Sequence, residues 1–351
     1  MSTEAPCHAH IVGAGLIGSS IGIGLCSAGW SVSLEDPDER TAKLARSIGA
    51  ANVPGTEEPA IVIVAAPPAV APEVVRDALR RWPSAVVTDV ASVKAPIANA
   101  IDEADASRYV GSHPMAGREI SGAIAAQGDL FKARPWVVCA GAAEESAVSL
   151  VTDVARALQS DVVSMEAKAH DIAVARVSHA PQVVASAVAA ALGSLEADDV
   201  ALAGQGLRDV TRIAASDPAM WADIARLNSA ALVRTLDHII ADLEDVRESD
   251  DIGEAVTDLI ARGRLEVQRI PGKHGGPTRD WTPVTVVVPD EPGQLLTLLQ
   301  DAAAAGVNVE DITIEHSPRQ PVGLTTLHVL PENAGALRQA LIDHNWEIAS
   351  S

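Results

Sequence analysis

The stretch "HIVGAGLIGSSIGIGL" (residues 10–25) decides the fold of the N-terminal part of this chain. A short apolar run leads into Gly13-x-Gly15-x-x-Gly18, and a helix-forming segment follows directly. Glycines at these positions permit a tight turn, let a pyrophosphate approach the backbone, and turn a helix N-terminus toward the phosphates. A plain glycine-rich turn is the alternative, but the strand before it and the helix after it favour a dinucleotide-binding βαβ unit.

An acidic residue further along supports this interpretation. Asp36 ends the next predicted strand, where a carboxylate binds ribose hydroxyls and repels the 2′-phosphate of NADP. NAD is therefore the expected cofactor, although the nearby cation of Arg40 weakens the discrimination. The small, rigid "AAPP" (65–68) after the following strand is suited to flank a nicotinamide. The residues expected to bind NAD are Gly13, Gly15, Leu16, Ile17, Gly18, Asp36, Ala66 and Pro67.

The composition excludes several classes of protein. With 48% hydrophobic and 21% charged residues, the 351-residue chain is typical of a globular protein with two or three domains. Its apolar runs are too short for a membrane span and its N-terminus lacks a signal-peptide layout, so a cytoplasmic location is expected. A net charge of −21 disfavours nucleic acid and anionic membranes as partners. The three cysteines are too widely spaced for a disulfide framework or a zinc site, and no metal is expected.

The patterning divides the chain into segments. In residues 1–166, Val/Ile-rich runs alternate with helix-length stretches, which predicts an α/β Rossmann-type doubly wound parallel sheet. Residues 167–270, rich in Ala, Leu and charge, predict an all-α domain. Residues 271–281 hold the prolines and glycines of a linker. Residues 282–351 read as strand–helix–strand twice, which predicts a small βαββαβ domain.

"GSHPMAGRE" (111–119) places a histidine at a predicted strand end. Pro114 disfavours a helix at His113, so the imidazole is expected at the carboxyl edge of the sheet, where ligands bind in such folds. Ser92, in "DVASVK" (89–94), is expected at a neighbouring strand end. A hydroxyl and an imidazole beside a nicotinamide indicate a dehydrogenase in which His113 takes a proton from a substrate hydroxyl as hydride leaves. A histidine without chemistry and an ordinary turn serine are the alternatives.

The helical segment supplies candidate substrate ligands. His179 precedes an Ala-Pro pair within a helical run. Asp209 and Arg212 lie one helical turn apart, and Trp221 follows them. An arginine beside a tryptophan can hold a carboxylate next to a flat ring. Spacing alone, however, favours a surface Asp–Arg pair and a core tryptophan.

Five motifs in this order and spacing resemble the prephenate dehydrogenase (TyrA) family over nearly the whole chain. They are "GAGLIGSS", "TDVASVK", "GSHPMAGRE", "VSHAPQ" and "LRDVTRIAASDPAMW". The resemblance implies oxidative decarboxylation of prephenate to 4-hydroxyphenylpyruvate, with hydride passing to NAD⁺. It implies that His113 hydrogen-bonds the ring hydroxyl, that Ser92 orients it, and that Arg212 binds a carboxylate. The substrate-binding residues implied are His179, Arg212, Trp221, Arg118, Glu119 and Asp209.

Arg118 departs from the family pattern, in which many relatives have Ser or Thr before the glutamate. It is either a solvated arginine at the pocket mouth or a second cation for the doubly anionic prephenate. In the second case it would repel the ammonium group of arogenate, which slightly favours prephenate. An arogenate dehydrogenase, a β-hydroxyacid-type dehydrogenase with Lys168 as its catalytic lysine, and a non-catalytic sensor of NAD and amino acids are the alternatives. The presence of Ser92, His113 and Arg212 favours an enzyme.

The C-terminal segment resembles an ACT domain, a fold that binds free amino acids, through "DEPGQLLTLL" (290–299) and "GVNVEDITI" (306–314). Tyrosine is the first effector to consider and phenylalanine the second. The free N–H groups of the helix after Gly293 can take the carboxylate of the amino acid. The expected effector-binding residues are Asp290, Gly293, Gln294, Leu295 and Asn308. The resemblance also implies a homodimer formed through the helical domain.

Overall fold

A seven-stranded sheet organises the N-terminal part of the protein. The computed structural model describes residues 7–55, 58–117, 122–270, 281–316 and 322–349. The chain separates into two compact units, residues 1–245 and 246–351. The domain limits expected at residues 166 and 270 stay predictions, and the expected linker lies outside the described residues except for its last residue.

The first sheet has the strand order β2-β1-β3-β4-β5-β6-β7. Its strands are His8–Val12 (β1), Ser31–Glu35 (β2), Ile61–Val64 (β3), Val86–Asp89 (β4), Tyr109–Pro114 (β5), Pro135–Cys139 (β6) and Asp161–Ser164 (β7). Strands β1 to β5 are parallel, as the sequence predicts. The expectation of a wholly parallel sheet is wrong for the other two, since β6 pairs antiparallel with β5 and β7 pairs parallel with β6. In the described residues between β5 and β6 the chain forms turns and one short 3₁₀ helix, and a connection of this kind suits antiparallel neighbours.

Helices cover both faces of this sheet. They are Leu16–Ser27 (α1), Glu39–Ser47 (α2), Ala71–Arg81 (α3), Ala95–Ala98 (α4) and Glu145–Ala157 (α5). Side chains alternate along each strand, so Ile61 and Ile63 pack with α1, α2 and α5, whereas Val62 and Val64 pack with α3 and α4. Burial on both faces explains the continuous Val/Ile runs in the sequence.

The segment after β7 is helical, as predicted. Its helices are Ala167–Val174 (α6), Ala180–Ala191 (α7), Ala197–Val200 (α8), Gln205–Thr211 (α9), Pro218–Leu227 (α10), Ser229–Glu248 (α11) and Ile252–Val267 (α12). A π-helical turn, Ala175–His179, joins α6 to α7. Pro181 follows it at the start of α7, and a proline there lacks an N–H for the preceding turn, which accounts for the widened turn at His179.

The run from α6 through Ser194 is long and apolar enough to cross a membrane by length and composition. However, 33% of its apolar window is buried within the protein. It also carries four buried polar residues, His170, Asp171, His179 and Gln182. This run therefore has the character of a helix that packs against protein.

The second sheet is antiparallel, with the strand order β11-β8-β10-β9. Its elements are Thr282–Pro289 (β8), Gln294–Ala304 (α13), Asp311–His316 (β9), Val322–Val329 (β10), Pro331–Asp343 (α14) and Glu347–Ile348 (β11). This is the βαββαβ order expected from the sequence. Alternate residues of β8, including Val284 and Val286, pack against Leu298 of α13 and Leu337 of α14 to form its core.

Candidate active site

In the glycine loop after β1, two glycines have no room for a side chain and the glycine between them faces open space. Gly13 has a φ of +107°, and a Cβ atom built there would lie 2.5 Å from the carbonyl oxygen of Ala65. A Cβ atom at Gly18 would lie 1.9 Å from the carbonyl oxygen of Gly13. A Cβ atom at Gly15 would meet nothing within 4 Å. The backbone at Gly15 is thus accessible to a ligand, which fits the close approach of a pyrophosphate.

The N-terminus of α1 faces this loop without a side-chain cap. Gly15 is the N-cap residue, and no acidic side chain lies in the first turn, which includes Leu16 and Ile17. The N–H groups at the start of this 12-residue helix therefore carry a partial positive charge suited to phosphate.

Asp36 is the carboxylate beside the loop. Its Oδ2 atom accepts a hydrogen bond of 2.8 Å from the backbone N–H of Ala14. The adjacent Glu35 is engaged elsewhere, since Arg81 donates to both of its oxygens at 2.7 and 2.9 Å. The neighbouring ring of His10, 3.5 Å away, and the Arg81 guanidinium hold the pKa of Glu35 below its usual range. Asp36 is consequently the carboxylate next to the glycine loop, and its expected contact with a ribose stays a prediction.

The predicted site residues lie at adjacent carboxyl ends of the sheet. Ala66 and Pro67 follow β3, Ser92 follows β4, and His113 lies near the end of β5. Strands β4 and β5 are direct neighbours. Ser92 and His113 are both partly exposed, which leaves them accessible to a bound molecule.

A buried ion pair fixes the backbone beneath His113. Lys94 and Asp89 are both fully buried and form a short ion pair. The Lys94 ammonium also donates to the carbonyl oxygen of Ser112 at 2.7 Å, and the Tyr109 hydroxyl donates to Asp89 at 2.7 Å. Burial and the neighbouring Asp89 carboxylate raise the pKa of Tyr109 well above its usual value. With its hydrogen bonds satisfied on both sides, this cluster holds the end of β5 in one position.

His113 contacts the helical segment directly. Its Nδ1 atom lies 2.9 Å from Nε2 of His170, and Nδ1 of His170 lies 2.8 Å from a carboxylate oxygen of Asp171. Burial, followed by the charges of His170, Lys94 and His179, holds the pKa of His113 well below its usual value. The imidazole is therefore neutral at physiological pH and can accept a proton.

Asn228 joins a second histidine to this cluster. Its amide nitrogen donates to the backbone carbonyl of Asp171 at 2.7 Å and lies 3.2 Å from Nδ1 of His179. The ring of His179 meets the ring of Trp221 edge-on, with centroids 6.0 Å apart. Burial lowers the pKa of His179 to about 4, so this imidazole is also neutral. The structure thus links His113 to His179 through His170, Asp171 and Asn228, and His179 in turn contacts Trp221.

The remaining predicted ligands lie nearer the surface. Arg212 begins a 3₁₀ turn and is exposed. The next residue, Ile213, accepts a hydrogen bond of 2.9 Å from Gln182 in α7, the helix that follows His179. Asp209 is exposed and accepts a hydrogen bond from Gln205. Arg118 and Glu119 lie outside the described residues.

The acids and histidines of the site do not form a metal centre. Within the described ranges, no group of three or more His, Cys, Asp or Glu side chains could hold a metal ion.

The comparisons with known proteins agree with these features. Two family models match the chain, "Prephenate dehydrogenase, nucleotide-binding domain" over residues 25–164 and "Prephenate dehydrogenase, dimerization domain" over residues 166–255. The "Probable prephenate dehydrogenase NovF" of Streptomyces niveus is 31% identical over an alignment of 358 positions, gaps included. The alignment covers 96% of this chain and 98% of that protein. The chain belongs to the prephenate dehydrogenase family.

One further relative agrees with this assignment, and one solved structure shares the fold. The prephenate dehydrogenase of Lactococcus lactis is 27% identical and matches 86% of this chain and 88% of its own length. The crystal structure of Aquifex aeolicus prephenate dehydrogenase with hydroxyphenyl propionate and NAD⁺ superimposes with a TM-score of 0.67 at 24% identity, covering 76% of this chain and 100% of that one. The fold is thus shared, and the family inferred from the five motifs is confirmed.

Sequence reasoning missed part of the cluster in this member of the prephenate dehydrogenase family. It assigned no role to His170, Asp171 or Asn228, although all three are buried and connect His113 to His179. The adjacent His-Asp pair in the same helical run as His179 was an available signal, because buried charged residues are seldom found without a partner. No such signal pointed to Asn228, which lies far from Asp171 and His179 in the sequence.

Proposed function

We propose that the protein oxidises prephenate to 4-hydroxyphenylpyruvate and CO₂ as an NAD-dependent prephenate dehydrogenase. The observation that carries this proposal is the imidazole of His113, which lies at the same carboxyl edge of the sheet as the open glycine loop and is held there by its contact with His170. The family match and the relatives named prephenate dehydrogenase support it.

The residues of the glycine loop and of the neighbouring strand ends hold the cofactor in this scheme. The α1 N-terminus and the Gly15 backbone bind the pyrophosphate, and Asp36 binds the adenosine ribose. Ala66 and Pro67 flank the nicotinamide. NAD⁺ supplies the hydride acceptor when bound.

His113 provides the proton chemistry. It accepts the proton of the ring hydroxyl as hydride leaves the same carbon, and Ser92 orients that hydroxyl. Loss of CO₂ returns an electron pair to the ring, which becomes aromatic, and the phenolate oxygen takes the proton back from His113. The reaction thus converts prephenate and NAD⁺ into 4-hydroxyphenylpyruvate, CO₂ and NADH without net proton release. Aromatisation and loss of CO₂ drive it, so the protein mainly aligns the reactants.

The helical segment provides the substrate contacts. Arg212 binds a carboxylate of prephenate, and Trp221 lies against its ring. The amide of Asn228 donates to Nδ1 of His179, so the neutral ring carries its hydrogen on Nε2 and donates it to the substrate. Asp209, Arg118 and Glu119 complete the pocket in this proposal.

Steady-state production of NADH with prephenate and with arogenate, side by side, tests the activity and the substrate. Prephenate is expected to be the better substrate, because Arg118 would repel the ammonium group of arogenate. A preference for arogenate would instead identify the protein as an arogenate dehydrogenase. Turnover of neither would reject the proposed function.

The helical segment is also proposed to form a homodimer. Apolar side chains are exposed on α11, including Val233, Ile240 and Leu243, and a second copy of the chain would cover them. The match to a dimerization domain supports this. Light scattering should give twice the chain mass of 36.3 kDa, and a monomer at micromolar concentration would contradict the proposal.

We further infer that residues 282–351 form an ACT domain that binds tyrosine or phenylalanine. The supporting feature is Gly293, which has a φ of +92° and is the N-cap of the 11-residue α13. The N–H of Gln294 donates to the carbonyl oxygen of Glu291, and the next N–H groups at the start of this helix suit a carboxylate. Asp290, Gln294 and Leu295 adjoin this turn. Asn308 was expected to open the next strand, but it lies before β9 and donates to Glu310.

Isothermal titration of each amino acid into the full chain tests the effector site. Asn308→Ala should weaken binding and any change in NADH production, whereas Gln339→Ala, on α14, should leave both unchanged. Equal responses of the two variants would reject the effector site.

A further inference from the structure

The bond between His113 and His170 continues to a carboxylate. His113, His170 and Asp171 form a row with N···N and N···O distances of 2.9 and 2.8 Å. We propose that His170 is a positioning residue that fixes which nitrogen of His113 acts as the base, and that takes up a proton when His113 does. This inference rests on the proposed function, because it assigns the use of the His113 base in that reaction.

The direction of each hydrogen bond follows from the acceptor at the end of the row. The Asp171 carboxylate already accepts the backbone N–H groups of Lys94 and Ala95, both at 2.8 Å. A carboxylate only accepts, so Nδ1 of His170 must donate its hydrogen to Asp171. In the neutral ring of His170, Nε2 then has a lone pair and accepts from Nδ1–H of His113. The neutral ring of His113 is left with its lone pair on Nε2, directed away from the row.

The surrounding charges favour a single added proton. Among the described residues, Lys94 is a permanent cation whose charge acts on His113, and it is paired with Asp89. His179 is neutral because burial lowers its pKa. Asp171 has an exposed fraction of 5%, and its carboxylate is in contact with the ring of His170. One proton shared between His113 and His170 balances that charge. A second would place two cations in contact, which is strongly unfavourable.

The proton movements balance in this arrangement. The substrate hydroxyl gives its proton to Nε2 of His113, and the hydrogen on Nδ1 of His113 passes to Nε2 of His170. His170 becomes an imidazolium beside the Asp171 carboxylate, which stays ionised. The reverse transfers return the proton to the phenolate product. His170 touches neither substrate nor cofactor in this scheme and acts only through His113.

Two substitutions separate the two parts of the proposal. His170→Phe keeps an aromatic ring but removes both hydrogen bonds, so kcat should fall about 100-fold, near the lower limit for a general base. The KM for prephenate should change less than about threefold, because ground-state contacts remain. The acid limb of the kcat profile should move to lower pH, because protonated His113 loses its acceptor. His170→Gln offers an acceptor and a donor but cannot take up a proton, so its kcat should lie between those of the wild type and His170→Phe.

A matched control and a direct measurement complete the test. His238→Gln changes an exposed histidine of α11 and should behave as wild type. Nitrogen-15 NMR of the wild-type protein should show the hydrogen of His113 on Nδ1, and this reading is independent of turnover. A hydrogen on Nε2 of His113, or a His170→Phe enzyme with wild-type kcat and acid limb, would overturn the proposal. If His170→Phe does not fold, the NMR result and His170→Gln still decide, since a hydrogen on Nε2 of His113 or a His170→Gln enzyme with the kcat of the wild type is equally contrary to it. Turnover of neither prephenate nor arogenate by the wild type would instead refute the proposed function and leave the NMR reading standing.

Discussion

Asp171 accepts a hydrogen bond of 2.8 Å from the backbone N–H of Lys94, a residue 77 positions earlier in the chain. This bond ties the buried start of the helical run to the turn that follows β4. It therefore fixes the helical part of the site against the sheet edge that carries the predicted cofactor and base residues.

Asp171→Ala should destabilise the native state by about 3 kcal/mol, because it leaves the N–H groups of Lys94 and Ala95 and the ring of His170 without an acceptor in a buried site. Urea unfolding at neutral pH, followed by fluorescence and circular dichroism together, measures the loss. Asp209→Ala, at an exposed position, should stay within about 0.5 kcal/mol of wild type. Equal stability of the two variants would mean that Asp171 does not anchor the helices.

The sequence was sufficient where local patterns determine the structure. The glycine spacing predicted the turn between β1 and α1, and the alternating runs predicted strands β1 to β5 and the C-terminal βαββαβ order. It was insufficient for the direction of β6, because the loop after His113 has no pattern that fixes whether the chain crosses over or turns back. The row from His113 to Asp171 joins residues far apart in sequence, and tertiary packing alone brings them together.

His113→Asn should lower kcat by about two to four orders of magnitude, the usual contribution of a general base, while the affinity for NAD⁺ stays unchanged. The acid limb of the kcat profile should disappear, since that limb reports protonation of the base. Steady-state kinetics across pH, with NAD⁺ affinity from fluorescence titration, check both statements. A variant that keeps wild-type kcat and the acid limb would make His113 a structural residue.

Arg212→Ala should raise the KM for prephenate about 10- to 100-fold and lower kcat much less. A charge-assisted hydrogen bond to a carboxylate contributes about 1.5–3 kcal/mol, and it is present in the ground state and the transition state alike. Arg208→Ala, which removes an exposed cation one turn earlier in α9, is the matched control for net charge. If both variants shift KM equally, Arg212 contributes only to the overall charge of the region.

His179 should make the stability of the protein depend on pH. Its pKa in the folded protein is about 4 against 6.5 for an unperturbed histidine. Between these two pH values the unfolded chain binds a proton that the native state does not, so the free energy of unfolding falls as the pH drops from 6.5 toward 4 and this contribution then levels off. Burial shifts the pKa of His113 in the same direction and adds to the effect. Urea midpoints measured at several pH values should therefore fall less steeply for His179→Gln than for wild type, while His238→Gln, which alters an exposed ring, should keep the wild-type slope. Parallel curves for wild type and His179→Gln would show that His179 titrates alike in the folded and unfolded states.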